Sequence, residues 1–85
     1  MAEEGAPGLD EDRLLRFIRT DLLEGRAIPI DADTYLFGDG MIDSLKILRL
    51  IAFVEMRLGQ TIPDSDIVMQ NFRSVRAITA RFGAR

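Results

Sequence analysis

Residues 43–59 read DSLKILRLIAFVEMRLG, and this pattern decides what kind of fold the chain can adopt. Asp43 and Ser44 are helix-capping residues, Gly59 is a helix-ending one, and neither Gly nor Pro interrupts the run between them. The spacing predicts a helix from Asp43-Ser44 to Gly59. Ten of the fourteen residues from Leu45 to Leu58 are hydrophobic. On a helical wheel Ile47, Leu50, Ile51, Val54 and Leu58 occupy one side. Leu45, Leu48, Ala52 and Met56 form a second band beside it, edged by Lys46, Arg49 and Phe53. A helix this apolar is either central to its domain or has a partner. A small domain cannot easily enclose one helix completely, so part of the second band is expected at the surface.

Upstream, Asp10 is a cap followed by acidic Glu11 and Asp12, which suit the positive end of a helix dipole. Leu14, Ile18 and Leu22 recur every four residues, joined by Leu15, with Arg13, Arg16 and Arg19 on the other side. A first helix is expected over 10–24, stopped by a left-handed Gly25. Residues 26–43 show no helical period and contain Pro29, Gly38 and Gly40. So long a connection is functional or disordered, and Ile28, Ile30, Tyr35, Leu36 and Phe37 are too apolar for disorder. It reads as a loop pinned to the core by those side chains. A strand over 27–30 would have no partner.

Downstream, Ile62-Pro63 breaks the chain and Asp64-Ser65-Asp66 offers a cap for a short helix through Val68 or Gln70. Ser74 caps a last helix in which Val75, Ile78 and Phe82 share a face, ended by Gly83. The expected fold is all-α, a small four-helix bundle of three main helices and one short one, with a long loop between helices 1 and 2. The 85 residues make one domain over 9–83, with residues 1–8 as a loose tail.

Composition narrows the function. The chain has no cysteine and no histidine, so it lacks the thiolate and imidazole on which most metal sites and nucleophilic hydrolases depend. A net charge of −3 argues against binding nucleic acid through its phosphates. No stretch is apolar for long enough to span a membrane, and the start lacks the order of a signal peptide, so a cytoplasmic monomer is expected. Residues 1–43 hold eleven acidic and four basic side chains, whereas residues 44–85 hold three acidic and seven basic. Two oppositely charged halves folding onto each other is the preferred reading over a basic docking surface.

The chemistry lies in Leu36-Phe37-Gly38-Asp39-Gly40-Met41-Ile42-Asp43-Ser44-Leu45. A serine stands at the start of a helix, directly after a glycine-containing loop. Free backbone N–H groups and the positive dipole end favour an anionic phosphate there. Asp43 can cap the helix and also help an incoming enzyme bind Mg²⁺, which prefers carboxylate and phosphate oxygen. Taken by itself, Asp43-Ser44 reads as an ordinary capping pair, since most helices require one. Ser44 has no base to activate it as a nucleophile, because Lys46 at a helix start is solvated.

The wider pattern runs from Gly40-Met41-Ile42-Asp43-Ser44-Leu45 through an apolar helix to Gly59 and Ile62-Pro63, then Asn71-Phe72-Arg73-Ser74-Val75 with Ile78. It resembles the acyl and peptidyl carrier protein superfamily over roughly residues 10–82. The resemblance implies that Ser44 is the attachment point for 4′-phosphopantetheine, donated from coenzyme A by a Mg²⁺-dependent phosphopantetheinyl transferase that recognises Asp43 and Leu45. It also implies a non-enzymatic role: the arm carries an acyl or aminoacyl thioester between a loading ligase or synthase and downstream transferases. Fatty acid synthesis carriers usually have a shorter Gly-x-Asp-Ser-Leu spacing and an acidic second helix, whereas Lys46, Arg49 and Arg57 make this one basic. The pattern looks closer to discrete D-alanyl, aminoacyl and peptidyl carriers of specialised metabolism, and partners with a basic docking surface should bind it poorly. Leu45, Lys46, Leu48, Arg49 and Met56 are the expected partner surface.

A fatty acid carrier and an unmodified helical interaction module are the alternatives. The modified carrier predicts that Ser44→Ala abolishes function with folding nearly intact. The unmodified module predicts a mild Ser44→Ala and a severe Leu48→Glu. Circular dichroism beside a partner-enzyme assay separates them.

Overall fold

Helix α1 begins where Asp10 accepts the Arg13 N–H at 2.8 Å through its side chain, which satisfies one of the orphan donors of the first turn. The computed structural model describes residues 9–38 and 41–83; the expected tail 1–8, Asp39 and Gly40 lie outside them. α1 runs as an α-helix over Glu11–Phe17 and continues as a π-helical turn over Ile18–Leu22. The Leu23 N–H reaches back five residues to the Ile18 carbonyl at 2.8 Å. A spacing of four drifts around an ordinary α-helix, and the wider turn brings both Leu22 and Leu23 over the core, fully buried beside Leu14 and Ile18. Periodicity predicts one continuous α-helix to residue 24; the observed helix ends earlier, at two left-handed residues, Glu24 (φ 55°) and Gly25 (φ 76°).

α2 spans Ser44–Leu58 as expected and ends at a left-handed Gly59, φ 74°. Its buried side is Leu50, Ile51 and Val54, with Ile47 and Leu58 half-buried against the same core. The carboxylate of Glu55 accepts the Ile62 N–H at 2.8 Å and ties the end of α2 to the following loop. The expected short helix is split in two. A 3₁₀ turn covers Asp64–Asp66, and the separate helix α3 covers Met69–Phe72. Between them Val68 is extended, while the Asn71 amide holds the Asp66 carbonyl at 2.9 Å. Helix α4, Val75–Phe82, starts at Ser74, whose hydroxyl accepts the Ala77 N–H at 3.0 Å. Gly83 ends it as expected, in an extended conformation with φ −67°. A β-carbon at Gly83 would overlap the Thr79 carbonyl.

These helices enclose one core, completed from α3 and α4 by Phe72, Val75 and Ile78. Residues 27–30 form no strand. The loop between α1 and α2 is ordered because the core and α4 hold it. Ile30, Leu36 and Ile42 are buried, Ala32 sits at the core edge, and Ile28 and Phe37 pack against it. Tyr35, expected as a pin, is instead 51% exposed, with its hydroxyl on the Met69 sulfur at 3.3 Å. Two main-chain bonds of 2.8 Å hold the loop, Leu36 N–H to the Arg73 carbonyl and Arg76 N–H to the Ala32 carbonyl. The Arg76 guanidinium adds a two-pronged pair to Asp33 at 2.5 and 3.0 Å and lies 3.7 Å from Glu11. Arg76 thus joins the acidic and basic halves in the expected way, whereas Arg13–Asp10 and Arg81–Asp66 are pairs within one half. Among the described residues no helix is long and apolar enough to cross a membrane.

Asp33 gives this clamp a pH signature. The hydrogen bond from Arg76 holds its carboxyl below the ordinary value of 3.8, outweighing a small opposing effect of burial. A depressed folded value stabilises the fold above the unfolded value, and that contribution is lost as pH falls through the folded one. Asp33→Asn should therefore flatten the acid limb of a plot of thermal midpoint against pH, below about pH 4, relative to wild type. Parallel limbs would show that the pair contributes nothing to stability.

Candidate functional site

The site is built by three consecutive residues with different tasks. Ile42 is buried in the core and fixes where the chain enters α2. It stands just before the cap, and Ile47 stands at the fourth helical position; these are the two positions of a hydrophobic staple, and both pack into the core. Asp43 is extended, and its Oδ1 accepts the N–H groups of Leu45 at 3.1 Å and Lys46 at 3.0 Å. Its main-chain carbonyl takes the Ile47 N–H at 2.9 Å. Ser44 follows as the first residue of α2 and is exposed.

This arrangement corrects one expectation. Of the free N–H groups that a helix start offers to a phosphate, those of Leu45 and Lys46 are already taken by Asp43. Among the described residues the Ser44 N–H and hydroxyl have no hydrogen-bond partner, and neither does Asp43 Oδ2. A phosphodiester fits here: an exposed hydroxyl to hold it, one open N–H, and the positive end of a fifteen-residue helix. The Asp43 carboxylate stands beside it as a like charge, with one oxygen open to a divalent cation. Among the described residues no group of three or more acidic side chains is placed to hold a metal by itself.

The residues expected as a partner surface lie on α2 beside Ser44. Leu45 is 74%, Leu48 61% and Met56 65% exposed, and Ala52 and Arg49 are exposed between them. Lys46 is half-buried. Glu55, the one carboxylate of this helix, is turned to the Ile62 N–H, so the exposed band is apolar and cationic. Two features were missed from sequence. A small apolar groove of about 230 Å³, lined by Phe37, Ile47 and Phe72 with Val68 and Met69, opens between the long loop, α2 and α3. Its only sequence signal is the apolar character of the exposed Val68 and Met69. The second is the stacking of Phe17 on Phe53, with centroids 4.2 Å apart, which joins α1 to α2.

The cap makes a separable prediction. Asp43→Ala removes two accepted hydrogen bonds and should lower stability by about 1 kcal/mol, whereas Asp43→Asn keeps an acceptor and should lose much less. Urea denaturation of the two variants measures this, and equal losses would mean that charge rather than capping holds the helix start.

Comparison with known proteins points the same way. A family model described as the phosphopantetheine attachment site matches residues 12–82. The chain is 35% identical over 69 residues to the lincomycin biosynthesis protein LmbN of Streptomyces lincolnensis, covering 81% of this chain and 25% of LmbN. It is 30% identical over 70 residues to the probable acyl carrier protein PigG of Serratia sp. (strain ATCC 39006), covering 82% of this chain and 80% of PigG. The chain therefore spans a quarter of the first of these relatives and four-fifths of the second. A chain from a crystal structure of an FAD-dependent dehydrogenase superposes with a TM-score of 0.70 at 36% identity, covering 79% of this chain and 94% of that one. This chain therefore belongs to the phosphopantetheine-attachment family, whose domain is a non-catalytic carrier with 4′-phosphopantetheine as its covalent cofactor.

Proposed function

We propose that Ser44 is the attachment residue and that the protein presents an acyl or aminoacyl thioester to enzymes of specialised metabolism. The observation that carries this reading is the exposed, unbonded Ser44 hydroxyl at the head of α2, held in place by the Asp43 cap and the buried Ile42. When bound, the group supplies a terminal thiol on a flexible arm, and tethering raises the effective concentration of the cargo at each enzyme.

The residues of this chain divide the remaining work. Ser44 provides the hydroxyl that the phosphopantetheinyl transferase modifies. Asp43 keeps the helix start rigid with Oδ1 and offers Oδ2 to the transferase's Mg²⁺. Leu45, adjoining Ser44 and the most exposed of the large apolar side chains, is the contact that the transferase reads first. Leu48 and Met56 extend an apolar strip for the loading ligase or synthase and for downstream transferases, and Lys46 and Arg49 give it a positive rim. That rim favours partners with acidic docking faces and disfavours those adapted to acidic carriers of fatty acid synthesis.

The likeness to a lincomycin biosynthesis protein supports the assignment to specialised rather than fatty acid metabolism. The likeness to a chain from an FAD-dependent dehydrogenase structure supports a dehydrogenase of that kind among the enzymes that act on the tethered group. A monomer in the cytoplasm is the form we assign, because the transferase draws on coenzyme A.

Intact mass spectrometry decides the central point. Wild-type protein incubated with coenzyme A, Mg²⁺ and a broad-specificity transferase should gain the mass of one phosphopantetheine group, and Ser44→Ala none. Modification of Ser44→Ala would move the site elsewhere, and an unmodified wild type beside a modified control carrier would sink the proposal.

A further inference from the structure

The loop that leads to Ser44 is gripped from two helices. On the α1 side, Arg19 Nη2 donates to the Ile30 carbonyl at 3.0 Å, across eleven positions. Periodicity alone sets Arg19 beside Arg13 and Arg16, away from the apolar stripe, with no sign of this contact. Arg19 stands in the π-helical turn, and its own carbonyl takes the Gly25 N–H at 2.9 Å. It therefore ties down both the end of α1 and the loop that follows. Among the described residues the Ile30 carbonyl accepts no other hydrogen bond.

On the α4 side, Arg76 takes the next positions, with its N–H on the Ala32 carbonyl and its guanidinium on Asp33. Between the two grips the chain bonds to itself. The Asp31 N–H donates to Thr34 Oγ1 at 2.8 Å, and the Asp33 N–H to Asp31 Oδ1 at 2.9 Å. Residues 30–34 thus form a self-bonded block held from α1 and α4. Leu36 leaves that block buried, and Ile42 is buried six residues further on, directly before the Asp43 cap.

Arg19, Asp33 and Arg76 are exposed, and each grip taken alone is weak. Their effect is on population, because loops open locally at low free energy and a modest loss then moves a measurable fraction. When this loop opens, Ile30, Leu36 and Ile42 leave the core, and Asp43 loses the direction in which it caps α2. An enzyme that reads only the closed form binds with its apparent affinity reduced by the closed fraction, while turnover once bound is unchanged.

We propose that Arg19 and the Asp33–Arg76 pair are positioning residues for modification at Ser44, acting through the loop that sets the start of α2. The kinetic half of this proposal rests on the attachment reading above; the hold on the helix start does not.

The test pairs amide hydrogen exchange of the full chain by NMR with steady-state modification by a broad-specificity phosphopantetheinyl transferase, coenzyme A and Mg²⁺. It compares wild type, Arg19→Gln, Asp33→Asn, the double variant and Arg26→Gln. Arg26 is an exposed arginine of the same segment whose side chain has no partner among the described residues, so it controls for loss of charge. In the double variant the Leu36, Leu45 and Lys46 amides should exchange about tenfold faster, with Val54 in mid-helix unchanged. Its KM for the carrier should rise about threefold at constant kcat, and Arg26→Gln should match wild type. The amide spectrum reports whether the double variant is folded; if it is not, the single variants carry the comparison, with exchange about threefold faster. Exchange equal to wild type, a lowered kcat at unchanged KM, or an Arg26→Gln that matches the double variant would each overturn the proposal. A wild type that is not modified removes the attachment reading instead, and the exchange measurement then decides this one alone.

Discussion

Two hydrogen bonds between distant main-chain groups decide whether the rest of the molecule can be assembled. The Leu36 N–H is given to the Arg73 carbonyl, and the Arg76 N–H to the Ala32 carbonyl. Between them they fasten the long loop to the junction of α3 and α4, with Leu36 buried alongside. A loop of this length carries many backbone polar groups and would otherwise remain solvated. Once fastened, it delivers Ile42 to the core, Ile42 sets the direction of Asp43, and Asp43 caps α2 so that Ser44 faces solvent. Ser44 is therefore placed by contacts made in the other half of the chain.

Helix α2 has more work than a single amphipathic helix usually does. One side is core, through Leu50, Ile51 and Val54. Its N-terminus holds Ser44, and beside that runs the exposed band of Leu45, Leu48 and Met56. The flank with Phe53 meets α1 in an aromatic stack. Exposed apolar area on this scale is unfavourable in water and is retained where other molecules bind. A carrier must be recognised in turn by several enzymes, and a helix apolar on most of its circumference supplies more than one surface from fifteen residues.

The electrostatics follow from the same economy. The one carboxylate within α2, Glu55, is committed to the Ile62 N–H, so its exposed faces are left to lysine and arginine. The acidic residues lie elsewhere, as caps at Asp10 and Asp43 and as the Asp33 clamp. A negative protein thus presents a positive helix.

Local chemistry was legible from the residues alone. Ser44–Leu58 and its caps, the Ser74 cap and the exposure of the Leu45–Leu48–Met56 band follow from propensity and the 3.6-residue period, which act within a turn or two. Ser44 was legible in the same way as the start of a helix after a glycine loop, whereas its reading as an attachment point came from the resemblance of the wider pattern, Asp43-Ser44 alone being an ordinary cap. Tertiary packing decided the rest. The π-turn at Ile18–Leu22 exists because Leu22 and Leu23 must both reach a core whose position α1 does not set. The break at Val68 and the outward Tyr35 depend on what α3 packs against, and the sharing of Asp43 between two N–H groups depends on the angle that buried Ile42 imposes. The α1–α2 aromatic stack needs Phe17 and Phe53 to meet across thirty-six positions, and no local pattern brings two such residues together. What a residue prefers is written beside it in the chain; what it touches is settled by long-range closure, whose outcome depends on every other contact at once.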